Sequence, residues 1–287
     1  RYQIHRRECG GRNRGGSTLK VPSMVKKSGF SCCYVTNNDF SGLMGIEFTA
    51  EYICEAFPAG VKNRLFDIEG TDELVRNIGS IDGTNFSKDT LFEMLTLEDD
   101  SRIEPWRIGE ALAEYYLESH CGVRFHYNLL RDMKNPKANV QGADIVGFAD
   151  LDGQTVFLVG EVKTSTQLSV PPNVLQGRSG MTHQIKEMIL DQKKFGKILR
   201  YLGWKAIKLP DNDPFKIDYQ KSFISYGDHN KVEFVGVLVR DTNPDARDLS
   251  NHYQNLLTSK KPNHSVRIFG FYIPFPTNHW EKIVRTG

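Results

Sequence analysis

The sequence has little cysteine, no long apolar run and almost no net charge, and each shortage narrows what the protein can be. Cysteine accounts for 5 of 287 residues, and no Cys-x-x-Cys pair is present to suggest a zinc site. The odd count, which includes the adjacent Cys32 and Cys33, favours reduced thiols and hence a cytoplasmic protein. No run approaches the roughly 18 apolar residues of a membrane span, and no secretory signal is visible. We therefore expect a cytoplasmic protein with no membrane partner.

The net charge of +2 is low for a protein that holds nucleic acid by non-specific attraction alone. If the chain binds nucleic acid, its positive charge must be concentrated locally, or a partner must supply part of the binding. The Gly-x-x-x-x-Gly-Lys-Ser/Thr pattern of nucleotide hydrolysis is also missing. A helicase or ATPase activity would therefore have to come from another chain.

Three regions differ in character along the chain. Residues 1–20 carry six basic residues and a single acid, with glycine pairs between them, which predicts a flexible basic arm. Contact of this arm with phosphates or with an acidic partner is the alternative. Residues 21–100 contain no catalytic constellation and are interpreted as an N-terminal lobe, structural or facing a partner; short helices are predicted over residues 48–57, before Pro58, and after Ser87.

Residues 101–287 alternate helical and strand patterns, which indicates an α/β fold with a mixed sheet. Apolar residues at helical spacing predict a helix over 106–119. Two apolar, β-rich runs, 143–148 and 155–163, are separated by the turn residues 150–153 and predict an antiparallel hairpin inside a covered sheet. The remaining predicted elements are a long amphipathic helix over 182–203 that stops at Gly203, strands over 234–239 and 266–273, and a helix over 248–257.

The predicted hairpin brings charged residues together. Glu161 and Lys163 are two residues apart in a strand, so they project on the same face, while Val162 points the other way. Asp144 begins the partner strand and lies close to Glu161 in an antiparallel pair. Buried carboxylates are costly unless they are paired or bind a metal, and Mg²⁺ takes hard oxygen ligands of this type. The cluster therefore predicts a magnesium site, with Mn²⁺ as a possible substitute, next to a lysine that can orient a water.

Gly142-Ala143-Asp144, followed by Gly160-Glu161-Val162-Lys163, resembles the signature of the PD-(D/E)XK nuclease superfamily. Ala143 stands where the full pattern has proline. The resemblance implies a restriction-endonuclease-like core over residues 101–287, with a mixed central β-sheet flanked by helices and the N-terminal lobe added to it. It also implies a Mg²⁺-dependent deoxyribonuclease that hydrolyses DNA phosphodiester bonds.

The resemblance also assigns roles to residues. Asp144, Glu161 and the carbonyl of Val162 are expected to bind the metal, and Lys163 is expected to assist the attacking water. Glu110, in the Gly-Glu segment of the preceding helix, matches a further catalytic carboxylate of the superfamily. Glu114 and Glu118 follow at helical spacing, so either of them, or a solvated face made of all three, is the alternative.

A second resemblance is narrower. An extra N-terminal region, one nuclease core and the closing segment Phe271-Tyr272-Ile273-Pro274-Phe275 are similar to the nuclease subunits of Hachiman-type antiphage systems. This resemblance implies the effector subunit of a bacterial antiphage defence or restriction system, acting with a helicase or ATPase partner.

Basic and amide side chains near these motifs are candidates for contact with DNA. On the long helix, one face is predicted to carry Lys186, Lys193, Lys197 and Arg200, and the alternative is an ordinary solvated face. The candidates are Gln184, Lys186, Lys193, Lys197 and Arg200 on the helix, and Arg131, Lys134 and Lys137 in the loop before Asp144.

Two other functions stay open at this point. The near-neutral charge favours a non-cutting DNA-binding or regulatory subunit of a larger complex, which would keep the nuclease fold without its activity. A nuclease that acts on RNA is the other alternative, for which the sequence offers no discriminating feature. A scaffold has no need to hold Asp144, Glu161 and Lys163 together, so the complete set favours catalysis.

Overall fold

A computed structural model describes residues 29–38, 41–79, 102–126 and 142–286 of the chain. The strands of this part are β1 (Phe30–Asn38), β2 (Ser41–Phe48), β3 (Ile145–Leu151), β4 (Gln154–Ser165), β5 (Val232–Arg240) and β6 (His264–Tyr272). The α-helices are α1 (Ala50–Ala56), α2 (Lys62–Phe66), α3 (Ile68–Gly79), α4 (Pro105–Cys121), α5 (Met181–Leu190), α6 (Gln192–Ala206), α7 (Pro214–His229), α8 (Ser250–Leu257) and α9 (Trp280–Arg285). Arg131, Lys134, Lys137, the basic arm and the helix predicted after Ser87 lie outside the described residues.

The six strands form one mixed sheet in the order β1-β2-β6-β5-β4-β3. The outer pairs, β1 with β2 and β3 with β4, are antiparallel, and the three inner pairs are parallel. Parallel strands are normally covered on both faces, and helices cover both faces here. The α/β fold with a mixed sheet flanked by helices is therefore confirmed. None of the helices in the described ranges has the length and apolar character needed to cross a lipid bilayer.

The alternation of side chains along β4 separates two cores. Val156, Leu158 and Val162 point into a core shared with α4, which we call the α4 face. Phe157 and Val159 point into the opposite core, shared with α5, α6 and α7, which we call the α5 face. Because the period of a strand is two residues, Glu161 and Lys163 project on the α5 face.

The described part of the predicted N-terminal lobe belongs to this same sheet. Strand β2 pairs with β6 in parallel, from Gly42 opposite Arg267 to Glu47 opposite Tyr272. Side chains of β2, α1 and α2 pack in the α4-face core together with α4 itself. The boundary predicted near residue 100 therefore does not separate two cores among the described residues. Sequence patterns report local periodicity and do not show which strand is the partner.

The first predicted helix, over residues 48–57, is shorter than expected. Phe48 ends β2, and the Thr49 side chain caps α1 by accepting a hydrogen bond from the Tyr52 amide. The α-helix stops at Ala56 before Pro58, as predicted, but the chain continues through a π-helical turn, Phe57–Val61, into α2. Proline lacks only its own N–H, and at the start of a helical turn that donor is not needed.

The prediction of one long helix over residues 182–203 is wrong, because two helices, α5 and α6, occupy this region. Asp191 has an extended backbone (φ −90°, ψ 95°), and its carboxylate caps α6 by accepting from the amides of Lys193 and Lys194. A capping aspartate offers the backbone an alternative to helix continuation. Gly203, the predicted stop, lies inside α6, where a Cβ would be 2.6 Å from the Tyr219 hydroxyl of α7.

The break changes the predicted basic face. Lys186 lies on α5 and donates a hydrogen bond to Oδ1 of Asn255 on α8, at 2.7 Å. Lys193, Lys197 and Arg200 keep a common face on α6.

Helix α7 was not predicted, although Asp213 and Pro214 form a normal helix start: the Asp213 carboxylate accepts from the Phe215 and Lys216 amides.

His264 begins β6 and is buried with no hydrogen-bond partner for either ring nitrogen among the described residues. Its ring packs against Phe234, with 5.1 Å between the ring centroids. Burial, assisted by Lys261 and Lys260, lowers the pKa of His264 from its ordinary value of 6.5 to about 4. The imidazole is therefore neutral in the folded protein and becomes charged in the unfolded chain at mildly acidic pH.

We predict that this histidine makes the protein less stable as the pH falls from about 6.5 towards 4. In that window the unfolded chain binds the proton and the folded chain does not, so the stability that this histidine contributes is complete above 6.5 and decreases below it. A shift of this size corresponds to about 3 kcal/mol. Denaturant unfolding at several pH values measures this contribution as a difference: the stability of wild type relative to His264→Phe should decrease as the pH falls through this window. The control His183→Phe, on the exposed surface of α5, should retain the decrease; an identical pH dependence in His264→Phe would contradict the prediction.

Candidate active site

The end of the β3–β4 hairpin holds the predicted cluster. The ladder begins with Ile145 opposite Gly160, so β4 continues from Glu161 to Ser165 beyond its partner strand. Asp144 lies where β4 begins to extend past β3. Its amide donates to the Gly160 carbonyl at 3.0 Å, and its Oδ2 accepts from the Val162 amide at 2.9 Å. The carboxylate of Asp144 is thus fixed against the open edge of β4.

The side chains of Glu161 and Lys163 meet on the α5 face, as the strand period predicted. The ammonium nitrogen of Lys163 lies 2.7 Å from Oε1 of Glu161, whose side chain is only 4% exposed. Burial, followed by the neighbouring carboxylate of Asp144, raises the pKa of Glu161 to about 8, although Lys163 offsets part of the rise. One lysine therefore does not fully compensate the carboxylates at this position.

Glu110 joins the cluster from the opposite layer. Burial, followed by repulsion from Asp144, raises the pKa of Glu110 to about 9; Glu161 adds to the repulsion and Lys163 offsets it. The glycine before it permits this approach, since a Cβ on Gly109 would lie 2.2 Å from the Thr164 hydroxyl of β4. The Gly-Glu pair in the sequence is thus explained by close packing of α4 on β4.

The other two glutamates of α4 are placed elsewhere. Arg64 of α2 binds both, with its Nη1 at 3.1 Å from Oε2 of Glu114 and its Nη2 at Glu118. The carboxylates of Glu114 and Glu118 therefore bind an arginine outside the hairpin cluster, although burial still raises the pKa of Glu114. Among the three candidates on this helix, the electrostatic contacts with Asp144, Glu161 and Lys163 select Glu110.

The backbone of Val162 faces the same edge as Asp144. Its side chain is buried on the α4 face, and its N–H donates to Asp144. The N–H and C=O of one strand residue point to the same side of the strand. The Val162 carbonyl is therefore directed towards the open edge of β4, as a backbone metal ligand at this site requires.

Gln184 lies on the helix that covers the α5 face. A Cβ on Gly236, which pairs with Glu161 in the sheet, would touch Ile185 and Met181 of α5, so this helix passes over the strands next to the cluster. The side-chain oxygen of Gln184 is buried with no hydrogen-bond partner in the described part of the chain. A buried amide oxygen without a partner is costly and marks a position where a ligand or water is expected.

Sequence reasoning missed Arg240, which fixes the loop that follows Lys163. Arg240 ends β5 opposite Ser165, and its guanidinium donates to the backbone carbonyls of Gln167 and Ser169. Asp248 accepts from the same guanidinium at 2.5 Å. The signal was present: a charged residue directly after the apolar strand at 234–239 has to find partners when it is buried.

The donors at the site match a hard divalent cation by chemical type. They are carboxylate oxygens and a strand carbonyl, whereas no group of three or more His, Cys, Asp or Glu side chains is arranged as a metal cage among the described residues. Mg²⁺ does not need such a cage, because it is held by one or two carboxylates and keeps several waters. The pKa values of Glu110 and Glu161 are raised first by burial and then by neighbouring carboxylates, and a bound cation would offset both effects.

No protein-family model matches this chain, and no curated protein matches it. The expectation of a nuclease therefore rests on the motifs and on the geometry at the end of the hairpin.

Proposed function

We propose that the protein is a divalent-metal-dependent nuclease that hydrolyses DNA phosphodiester bonds. The observation that supports this most is the convergence of Asp144, Glu161 and Lys163 at the open end of the β3–β4 hairpin. DNA as the substrate follows from the resemblance of these motifs to the PD-(D/E)XK superfamily. Mg²⁺ is the expected ion, and Mn²⁺ offers the same preference for oxygen ligands.

Each residue of the site has a task that follows from its surroundings. Asp144 and Glu161 would hold the ion together with the Val162 carbonyl. Glu110 would accept a hydrogen bond from a water bound to the ion. When bound, the ion polarises a phosphate oxygen and lowers the pKa of a coordinated water. Lys163 would exchange its partner, turning from Glu161 towards the attacking water and the charge that grows on the phosphate.

The proposal predicts that the protein nicks or linearises supercoiled plasmid DNA with Mg²⁺ or Mn²⁺ and has no activity with EDTA. Asp144, Glu161 and Lys163 do not form a complete site for hydrolysis without the ion, so the dependence should be absolute. Gel assays of cleavage, combined with calorimetric titration of Mg²⁺, test this. Calorimetry should show a binding event in wild type that Asp144→Asn weakens by at least about tenfold.

Three results would count against the proposal in different ways. Metal binding without cleavage of any nucleic acid would leave a retained fold in a non-cutting subunit. DNA binding without metal binding would identify the regulatory alternative. Cleavage of single-stranded or duplex RNA, but not of DNA, would correct the substrate and keep the chemistry.

A narrower proposal concerns the biological setting. The similarity to Hachiman-type nuclease subunits suggests an effector of an antiphage or restriction system that works with a helicase or ATPase partner. The proposal predicts that a gene for such a partner lies beside this one. It also predicts that co-expression of the two changes the rate of plasmid cleavage.

A further inference from the structure

Helix α6 and the residues just after it form a strongly basic segment of the chain. From Gln192 to Leu209 the sequence contains six basic residues and no acidic residue, although the net charge of the whole chain is only +2. The acids that border this segment are engaged: Asp191 caps α6, and Asp211 pairs with Lys216 at 2.7 Å. This helix therefore presents a strongly positive surface on a nearly neutral protein, which attracts polyanions.

Three of these cations share a stripe with a tryptophan. Lys193, Lys197, Arg200 and Trp204 are separated by four, three and four residues and face solvent, opposite the buried side of the helix. We call these four residues the α6 ridge. No ion-pair partner is found for its three cationic groups in the part of the chain that the structure describes, so they are available to bind phosphates.

A pocket of about 480 Å³ adjoins the ridge between α6 and α7. Its lining includes Trp204, Tyr219, Arg200, Lys216 and Gln220. The tryptophan is 65% exposed, so its ring is accessible to a ligand. Flat aromatic rings next to cations and an amide offer what a nucleobase needs: a surface for stacking, and polar groups for its edge.

The ridge is close to the candidate active site. A Cβ on Gly142 would lie 3.1 Å from Cγ1 of Ile198 on α6, and Gly142 is two residues before Asp144. Trp204 is six residues further along the helix, or about 9 Å at the usual helical rise. Ile198 belongs to the buried side of α6 and the ridge to its exposed side, so the width of one helix, about 10 Å, separates the ridge from this contact.

We propose that the α6 ridge binds single-stranded DNA, with phosphates on Lys193, Lys197 and Arg200 and one unpaired base stacked on Trp204 in the pocket. A duplex hides the faces of its bases, so the exposed tryptophan has no use on paired DNA, whereas every unpaired base can stack. The row of three cations on the ridge suits the regularly spaced phosphates of a nucleic acid better than the dispersed charges of a protein surface. The inference rests on the proposed function for the choice of DNA and adds the strand state of the substrate.

Binding of fluorescent oligodeoxythymidine in EDTA tests the inference without any contribution from cleavage. Wild type should bind the single strand more tightly than a duplex of equal length, and Trp204→Ala should weaken single-strand binding about 5- to 100-fold. Trp204→Phe should recover most of the loss, because a smaller ring still stacks. The double variant Lys197→Gln/Arg200→Gln should weaken binding of both DNA forms and, for the single strand, reduce the slope of log K against log salt by about 1.4. Lys282→Gln, which removes an exposed lysine from α9, should bind like wild type.

The outcomes separate this inference from the nuclease proposal. Equal single-strand affinity in Trp204→Ala and wild type would overturn it, and so would tighter binding of duplex than of single strand. Tighter binding of oligouridine than of oligodeoxythymidine would reassign the ridge to RNA and would also overturn it. If the single strand binds through Trp204 but no metal-dependent cleavage occurs, the inference about the α6 ridge is kept and the nuclease proposal fails. If Trp204→Ala changes neither cleavage nor binding, the nuclease proposal is kept and the inference about the ridge fails.

Discussion

Replacement of Glu161 by glutamine is expected to slow metal-dependent DNA nicking by about 10²- to 10⁴-fold while the protein stays folded. The substitution keeps the size of the side chain and a hydrogen-bond acceptor for Lys163, which lies at 2.7 Å in the wild type. It removes the negative charge that would hold the ion. Single-turnover nicking of plasmid at saturating Mg²⁺ measures the loss of rate, and EDTA sets the background.

Thermal unfolding provides a second readout that a merely structural role would not give. Without metal, burial and Asp144 raise the pKa of Glu161 to about 8, so near neutral pH the folded protein mostly holds this group in its uncharged form. Glutamine imitates that form, and Glu161→Gln should therefore melt no lower than wild type in EDTA. Added Mg²⁺ should raise the melting temperature of wild type, as any ligand specific to the folded state does. The variant should show little of this increase.

The matched control is the exposed pair of Glu187 and Lys194. Its atoms lie 3.1 Å apart, and the glutamate side chain is 47% exposed. Glu187→Gln removes the same charge from the same kind of ion pair outside the hairpin, and it should change the rate of nicking by less than about twofold. A rate in Glu161→Gln close to that of the control would exclude Glu161 from the chemistry.

The part of the site that sequence predicted well depends on local geometry. Alternation along one strand is enough to place Glu161 and Lys163 on the same face, and a short hairpin is enough to bring Asp144 to them. The fold class followed in the same way, from the order of periodic segments. These inferences need no knowledge of distant contacts.

The rest depended on contacts between distant parts of the chain. Glu110, Glu114 and Glu118 repeat at helical spacing, and only the position of Arg64, on another helix, shows which of them is at the site. The sequence likewise gave no reason to join β1 and β2 to the central sheet, because strand pairing is set by tertiary packing.

Two features near the site have a sequence signal that helical periodicity alone does not capture. Asp191 falls inside the continuous helix that the periodicity predicts, although aspartate is a strong helix cap and the next helix begins after it. The basic residues of α6 are apparent in the sequence, whereas the exposure of Trp204 beside them depends on how α7 packs against α6. A tryptophan at helical spacing is more often part of a core than of a surface.

Removal of Asp248 is expected to have the largest effect on stability, a loss of about 3–5 kcal/mol in the free energy of unfolding. Asp248 and Arg240 are buried side chains, at 0% and 1% exposure, and their atoms lie 2.5 Å apart. In Asp248→Ala the guanidinium of Arg240 stays buried with its charge uncompensated. Its bonds to the carbonyls of Gln167 and Ser169 remain, yet neutral acceptors compensate a full charge poorly. Urea unfolding, followed by circular dichroism, measures the difference.

The loss should extend to the candidate site, because Arg240 anchors the loop that directly follows Lys163. If Asp248→Ala is still folded at low temperature, its affinity for Mg²⁺ in calorimetry should be lower than that of wild type, although Asp248 itself is no proposed ligand. Tyr272 would also lose an acceptor, since its hydroxyl donates to Oδ2 of Asp248 at 3.0 Å. The pKa of Asp248 is raised by burial in spite of Arg240, so the pair is held at a real desolvation cost.

Two further variants decide whether the isolated charge causes this instability. Arg247→Ala removes an arginine one residue away, whose side chain is 75% exposed beside Asp245, and it should cost less than about 1 kcal/mol. The double variant Arg240→Met/Asp248→Leu removes both charges and should recover most of the stability that Asp248→Ala loses, because apolar side chains of similar size can replace a buried ion pair. A double variant as unstable as Asp248→Ala would show that the shape of the network, and not its charge, holds the loop beside the hairpin. In that case the Mg²⁺ affinity of the double variant should stay low as well. If the double variant instead recovers both stability and Mg²⁺ affinity, the uncharged side chains at positions 240 and 248 are enough to hold the loop by packing.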